Sequence, residues 1–359
     1  MRVCFYREGA AWSGAGRAFA EAARALGTRG YEVTMACGAG TETERQWRSA
    51  DLDVLRLPAA VSWWCRAWSL RALLASRFIE VVFVHSEREQ LSAACAVRMV
   101  GRGAVVRRVP PFAPLTLGAD ALLAGRLAAT GFLFASAADR RAAQPNSRWL
   151  EPVVAPPAVA LPPPGPARSD TSDRQTIACL YGDSSLESVA AVLRTIALLA
   201  RRHPDLRLSM VGPLAVADAV RIQAAALGIN GMISQWVGPP DRQEILAGAT
   251  LARVVAGRAE GDDVAYALLD CFAAGVPVIG EREPIIARFV SHGENGQLLS
   301  SADPPEQAAV VAALLSDVQG LARLSRVARD SAARWPVDAM AGGFERAAAG
   351  ARDRSRWRA

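Results

Sequence analysis

The stretch Val254–Glu281, VVAGRAEGDDVAYALLDCFAAGVPVIGE, decides how the rest of the chain is interpreted. It opens with a short β-branched strand, closes with a second strand at VPVI, and carries a helical pattern of apolar residues between them. Because both strands are continuously apolar and are joined by a helix, they are expected to lie parallel and buried. The stretch therefore predicts one βαβ unit of a doubly wound sheet.

The polar turn Arg258–Asp263 follows the first of these strands. Ligands of open α/β sheets bind outside the carboxyl ends of the strands, and this turn is placed there. Asp262 and Asp263 also suit the first turn of the helix, where a carboxylate caps free backbone amides. Asp270 lies between two apolar residues of the same helix, and no local feature explains an acidic residue at that position.

The second half of the stretch resembles the donor-sugar motif of the family 4 glycosyltransferases, which is a Glu, seven residues, and then Glu-Ala-Met-Ala-x-Gly-x-Pro-Val. Asp270 takes the place of the second Glu in the matching run DCFAAGVPV. Asp262 lies eight residues earlier, whereas Glu260 matches the first Glu if two residues are inserted, and both remain candidates. The resemblance implies that Arg258 and the first carboxylate contact the donor sugar and phosphate, and that Asp270 binds the ribose hydroxyls. The alternative is that Asp262 is a helix cap and Asp270 a half-buried partner of an Arg.

The whole chain alternates strand-like and helix-like segments, which predicts an α/β protein with doubly wound parallel sheets. Pro156–Arg174 is rich in Pro, Ser and Asp and interrupts this alternation, as a linker does. We therefore predict an N-terminal domain over 1–160, a linker over 161–175 and a C-terminal domain over 176–335. The resemblance implies the GT-B fold, in which two Rossmann-like domains face a central cleft and the final helix, here 336–359, packs back on the first domain.

Composition excludes several classes of protein. A chain of 359 residues that is 51% hydrophobic and 21% charged can bury large cores and is not a disordered protein. The three histidines are far apart and the six cysteines have no CxxC spacing, so neither a metal site nor a disulfide framework is expected. Outside Trp63–Arg77, basic residues are not interleaved with aromatic ones as in a nucleic-acid-binding surface, so nucleic-acid binding is the weakest option. No cofactor is predicted, and the direct entry of MRVCFY into a strand predicts a cytoplasmic protein.

Glycine-rich turns mark further candidate contacts with the donor. Gly14 and Gly16 lie between the first strand and first helix, where backbone amides meet phosphate, although such a turn is also needed to join the two elements. Gly182 and Ser184 follow the first strand of the second domain and offer amides in the same way. The donor base is placed near Gln235–Gly238, with Trp236 as its contact.

Two departures from the family pattern put activity in question. Family members carry an Arg and a Lys after the first strand of the second domain, where this chain has the acidic segment Tyr181–Glu187. They also carry a His after the fifth strand of the first domain, where this chain has Arg108–Pro111. His85, at the end of the fourth strand, is the candidate replacement, against the simpler interpretation of a structural residue at a strand end.

The segment Trp63–Phe78 is unusually aromatic. A helical wheel places six large apolar residues on one arc with Arg71 in it and arginines on its flank: Trp63, Trp64, Trp68, Leu70, Leu74 and Phe78. Trp, Leu and Arg in this arrangement suit a membrane surface. A buried helix with extended arginine side chains explains the pattern equally well.

The resemblance implies a metal-independent, retaining glycosyltransferase. Its substrates would be a nucleotide diphosphate-sugar donor and an unidentified acceptor, which is a small molecule, a lipid or a glycan. Glu260, Asp262 and His85 are its candidate catalytic residues. Two alternatives remain: a catalytically inactive GT-B subunit that binds a partner, and a sugar-nucleotide epimerase. If Trp63–Phe78 binds lipid, the protein works at the inner face of the membrane.

Overall fold

The computed structural model describes residues 1–58, 62–143, 149, 151–161, 175–182, 186–213, 216–238, 242–257 and 261–356, with the backbone alone at 234–237 and 355–356. The chain divides into two units. The first comprises Met1–Ala158 and Val337–Ala359, and the second comprises Val159–Pro336. Most of the predicted linker, residues 162–174, lies outside the described part of the chain.

The first unit contains a seven-stranded sheet among its described residues. Its strands are β1 (Arg2–Arg7), β2 (Glu32–Gly38), β3 (Val54–Leu57), β4 (Val81–Val84), β5 (Ala104–Val109), β6 (Ala129–Phe134) and β7 (Val153–Val154). Its first helices are α1 (Gly14–Thr28), α2 (Glu42–Ser49), α3 (Trp63–Ser76), α4 (Glu87–Val100), α5 (Ala119–Leu127) and α6 (Ala137–Ala143). The strands pair in parallel in the order β3-β2-β1-β4-β5-β6-β7, so the order reverses beside β1.

The second unit repeats this plan with six described strands. They are β8 (Thr176–Tyr181), β9 (Arg207–Val211), β10 (Ile233–Val237), β11 (Leu251–Val255), β12 (Val278–Glu281) and β13 (Gly296–Leu299). The helices are α7 (Leu186–Ala200), α8 (Ala217–Ala226), α9 (Arg242–Gly248), α10 (Gly261–Ala273), α11 (Pro284–Phe289), α12 (Pro304–Ser316) and α13 (Val318–Ala332). The parallel order is β10-β9-β8-β11-β12-β13, which reverses beside β8. The predicted pair of doubly wound parallel sheets is confirmed.

Burial explains why these runs form parallel strands. Every residue of β4, β5, β6 and β11 is buried, because helices cover both faces of each sheet. α10 is likewise buried over nearly its whole surface, from Val264 to Ala273. The stretch Val254–Glu281 therefore lies in the centre of the second unit.

The last helix, α14 (Val337–Arg356), completes the core of the first unit. The fully buried ring of Phe344 lies 5.6 Å from that of Phe5 and 5.0 Å from that of Phe83. Gly343 permits the close approach of this helix to β7, because a Cβ atom there would lie 2.5 Å from the Val154 carbonyl oxygen. The chain thus returns to its first sheet after building the second.

Candidate active site

The second sheet offers a ligand site where its strand order reverses. β8 ends at Tyr181 and is followed by Gly182, while the neighbouring β11 ends at Val255. Gly257, two residues later, has a positive φ of 50° and turns the chain toward α10. In open α/β sheets ligands bind at such a switch point, outside the carboxyl ends of the strands.

Several predicted donor contacts lie outside the described residues. These are Ser184, Arg258 and Glu260, and for Trp236 only the backbone, on β10, is described. Their assignments stay predictions. Asp262, the alternative to Glu260, lies in the first turn of α10 and is fully buried. An acidic residue in the first turn stabilises a helix N-terminus, and the capping and sugar-contact interpretations of Asp262 both stay predictions.

Asp270, on α10, forms a buried ion pair with Arg242. Its carboxylate Oδ2 accepts a hydrogen bond from the Nε of Arg242, the first residue of α9. The Asp270 side chain is 1% exposed and that of Arg242 is 11% exposed. Asp270 is therefore a fully buried partner of an Arg, where the sequence suggested a half-buried one, and a ribose would have to share or displace this ion pair.

Tyr181 was missed by sequence reasoning although it precedes Gly182. Its buried ring lies against the end of β9, where a Cβ atom on Gly212 would lie 2.4 Å from ring atoms. Burial raises the pKa of the Tyr181 phenol to about 12, so the hydroxyl stays neutral at physiological pH. The residue before Gly182 therefore carries an uncharged aromatic ring packed against the neighbouring strand.

The end of β12 carries a second cluster of charged residues. Arg253, inside β11, donates from Nη2 to Oε1 of Glu281 over 2.8 Å. Burial and the nearby charge of Glu281 raise the pKa of Glu283 above its usual value, with Arg253 opposing them. Cross-strand pairing of Arg253 and Glu281, 28 residues apart, leaves no local pattern in the sequence.

Gly14 and Gly16 lie within the first turn of α1, whereas the sequence predicted that they lie in the turn before the helix. Ser13 caps this helix: its hydroxyl accepts from the Gly16 amide over 3.4 Å and from Nη2 of Arg7 over 2.9 Å. The Gly16 carbonyl accepts from the indole of Trp47 over 2.9 Å. Because both glycines are buried, their amides support the start of the helix, and a role in phosphate binding remains a prediction.

Glu89 ties together the carboxyl ends of β1 and β4. Its Oε1 accepts the backbone N–H of Glu8 over 2.7 Å, and its Oε2 accepts those of His85 and Ser86, each over 2.9 Å. Glu89 also forms a capping box with Ser86 at the start of α4. His85 thus has a structural backbone contact at a strand end, and its half-buried ring remains a predicted catalytic group.

Other charged groups along this edge are also paired. The Tyr6 hydroxyl donates to Oε1 of Glu8 over 2.6 Å, and Nε of Arg66 lies 3.2 Å from the same oxygen. Burial, with the charge of Glu8, raises the pKa of Tyr6. At the position of the expected family His, Arg108 is a buried residue inside β5. Two acids at this edge of the first sheet, Glu8 and Glu89, are thus both paired with neighbouring groups.

The apolar residues that the helical wheel placed on one arc lie on different sides of α3 in the structure. Leu70 and Leu74 are buried in the core of the first unit, whereas Trp64 and Trp68 are each 62% exposed. Phe78 lies beyond the end of the helix, exposed beside the guanidinium of Arg102. The prediction of a single six-residue arc was therefore wrong, because Leu70 and Leu74 pack into the core whereas Trp64 and Trp68 face solvent.

The described part of the chain contains no group of three His, Cys, Asp or Glu side chains arranged to hold a metal ion. No single helix among the described residues is both long and apolar enough to cross a membrane.

Comparisons with known proteins agree with this architecture. Residues 178–317 match the family model described as Glycosyl transferases group 1. The D-inositol 3-phosphate glycosyltransferase of Corynebacterium glutamicum is 28% identical over 147 residues, which are 39% of this chain and 35% of the relative. A second enzyme of that name, from Catenulispora acidiphila, is 28% identical over 165 residues, 44% and 38% of the two chains. The chain thus spans little more than a third of the length of the curated relatives it matches.

Solved structures resemble nearly the whole chain. Anabaena HepE, crystallised with UDP and glucose, aligns with a TM-score of 0.75 at 14% identity over 97% of this chain and 99% of its own. WaaG, a glycosyltransferase of lipopolysaccharide biosynthesis, aligns with a TM-score of 0.62 at 14% identity over 96% and 98%. An assigned UDP-N-acetylglucosamine 2-epimerase of Listeria monocytogenes aligns with a TM-score of 0.63 at 14% identity over 96% and 97%. At these identities the likeness establishes a shared fold.

Proposed function

Residues 178–317 belong to the group 1 glycosyltransferase family, and from this premise we propose that the chain transfers a sugar from a nucleotide diphosphate-sugar to an acceptor. The observation that carries the proposal is the position of the family match. It covers β8 to α12 and so includes the switch point of the second sheet, with Gly182, α10 and the buried Asp270. Donor binding is accordingly assigned to the second unit, with the base near Gln235–Gly238.

The proposed reaction is metal-independent and retains the configuration of the sugar. The bond between the anomeric carbon and the diphosphate oxygen breaks, and the acceptor oxygen bonds to that carbon on the same face. The acceptor proton passes to the departing diphosphate, so the protein need not supply a nucleophile. Its task is to position the two substrates and to stabilise the negative charge that develops on the leaving group.

Calorimetry with UDP-, GDP- and ADP-sugars tests donor binding, and product analysis with an acceptor panel tests transfer. We expect one nucleotide series to bind and the sugar to be transferred only when an acceptor is present. D-inositol 3-phosphate belongs in the panel because relatives of partial coverage are named for it. A folded protein that binds no donor would instead be an inactive GT-B subunit. Conversion of the donor without acceptor would indicate an epimerase, whose fold is also similar.

The assignment of Asp270 to the ribose is one hypothesis within this proposal, and the alternative is that Asp270 serves only as the partner of Arg242. Its Oδ2 is occupied by Arg242, and a carboxylate has lone pairs to accept further hydroxyl groups. An Asp270→Ala protein that turns over donor as fast as the parent would remove the assignment.

We also propose that the first unit contacts an anionic membrane surface at the inner face of the membrane. Trp64 and Trp68 project from one side of α3, and the guanidinium of Arg71 lies 5.0 Å from the centre of the Trp68 ring. Exposed Trp beside Arg suits the boundary between headgroups and acyl chains. Trp64→Ser with Trp68→Ser should abolish co-sedimentation with vesicles containing phosphatidylglycerol. Leu122→Ser with Leu123→Ser, which changes another exposed apolar pair, is the matched control. If both double variants lose vesicle binding equally, the assignment of the Trp64 and Trp68 surface to the membrane is refuted.

A further inference from the structure

A departing nucleoside diphosphate needs positively charged donors, because its negative charge increases as the bond to the sugar breaks. This requirement rests on the proposed function. The segment Gly182–Glu187, which follows β8 at the switch point, contains Asp183 and Glu187 and no Arg. A cation for the diphosphate must therefore come from another element, and Arg258, which the sequence predicts to contact the phosphate, lies outside the described residues.

Arg242 has the position and the free hydrogen-bonding capacity for this role. It begins α9, which follows the carboxyl end of β10, so it lies on the edge of the sheet where ligands bind. Its Nε donates to Asp270, and within the described part of the chain its Nη1 and Nη2 atoms have no hydrogen-bond partner. Neither atom is both buried and unpaired, so solvent reaches both of them. A guanidinium held at Nε presents its remaining N–H groups as a planar fork suited to two phosphate oxygens.

Asp270 explains how this guanidinium is held. Its carboxylate is 1% exposed, and it lies in α10, which is packed on nearly all sides. An Arg fixed from behind by a buried carboxylate loses less conformational freedom when a ligand binds than a free surface Arg does. We propose that Arg242 binds the diphosphate of the nucleotide-sugar and that Asp270 is the positioning residue that orients it.

The test measures binding of a nucleoside diphosphate and of its monophosphate by calorimetry on the full chain. The base is whichever of UDP, GDP and ADP binds the parent most tightly. Arg242→Gln combined with Asp270→Asn removes both charges and keeps two side chains that hydrogen-bond, so no unpaired charge stays buried. We expect diphosphate affinity to fall about 10- to 100-fold, the range of hydrogen bonds to a charged group. Monophosphate affinity should change less than about 2-fold, because the second phosphate is the group that Arg242 is expected to bind.

Further variants separate positioning from direct contact. Asp270→Asn should lose part of the preference for diphosphate, and Asp270→Glu should restore most of it by returning a carboxylate to Arg242. Arg2→Gln with Glu32→Gln is the charge-matched control, since it also removes one positive and one negative charge, from an exposed pair of the first unit. It should leave both affinities unchanged.

Three outcomes would overturn the inference. A double variant that binds diphosphate like the parent would exclude Arg242 from the phosphate site. Equal losses for diphosphate and monophosphate would assign the pair to the nucleoside, as the ribose hypothesis for Asp270 requires, or to its first phosphate, and not to the second phosphate. If the parent binds none of the three diphosphates, the proposed function fails together with the inference, whereas the first two outcomes leave donor binding intact.

Discussion

The carboxyl edges of the two sheets use their charged residues differently. In the first unit, Glu89 accepts three backbone N–H groups and Glu8 is shared by Tyr6 and Arg66, so each acid is saturated by its own surroundings. In the second unit, Asp270 binds Arg242, whose guanidinium keeps N–H groups toward solvent. The acids of the first edge thus form a framework, whereas we infer that the ion pair of the second edge keeps the Arg242 cation for a ligand.

The largest effect is expected in the core of the first unit, on which its framework edge rests. Phe344→Ala should lower the free energy of unfolding by about 3–5 kcal/mol, because it leaves a cavity between Phe5 and Phe83. Hydrogen exchange followed by mass spectrometry should show faster exchange in peptides of Met1–Ala158 and little change in those of Val159–Pro336. Val318→Ala, at a residue that is 70% exposed, is the control. Equal acceleration in both units would contradict an assignment of α14 to the first core alone.

The fold was predictable because its signal is local. Runs such as VVFV in β4 and LARVV in β11 are continuously apolar, and a helical period separates each from the next strand. The same reasoning failed on α3, which has apolar residues on more than one side. A wheel cannot tell which side packs on the sheet, and so Leu70 and Trp68 were assigned to one surface.

The candidate site was less predictable because its partners are distant in sequence. Arg242 lies 28 residues from Asp270, and Glu8 lies 81 residues from Glu89. The capping sequence from Ser86 to Glu89 was readable as a helix start. No local sequence pattern indicates that the same carboxylate also contacts the end of β1, because that contact depends on β1 and β4 being neighbours in the sheet.

The framework role of Glu89 gives the second test. Glu89→Gln keeps the size of the side chain but replaces one acceptor oxygen by an amide nitrogen, which faces backbone N–H groups. The free energy of unfolding should fall by about 2 kcal/mol, the cost of lost hydrogen bonds to a charged group. Protection from hydrogen exchange should drop first at Glu8 and His85. Glu32→Gln, in an exposed pair with Arg2, should change stability by less than about 0.5 kcal/mol. A smaller loss at Glu89 than at Glu32 would be evidence against the framework.

Glu87 tests whether ionised acids stabilise the first edge. Burial alone would raise its pKa, but hydrogen bonds from Thr116 and Gly118 and the charge of Arg107 outweigh burial and hold the pKa below its usual value. Its contribution is present above the pKa of the unfolded chain and is lost as pH falls. Glu87→Gln should therefore lower the melting temperature at pH 7 by about 2–4 °C, for a loss of about 1 kcal/mol. Scanning calorimetry from pH 4 to 8 should show the difference shrinking toward acid.

Glu283, on the second edge, should respond to pH with the opposite sign. Burial and Glu281 raise its pKa, so its ionised form is disfavoured in the folded protein. Below the pKa of the unfolded chain the group is neutral in both states, and stability is lost as pH rises through the folded pKa. Glu283→Gln should thus match the parent near pH 4 and melt up to about 2 °C higher at pH 8 in the same calorimetric series. Since Glu87→Gln changes charge equally on the other unit, two variants that shift in the same direction at pH 8 would show that net charge, and not the difference between the two edges, controls the response.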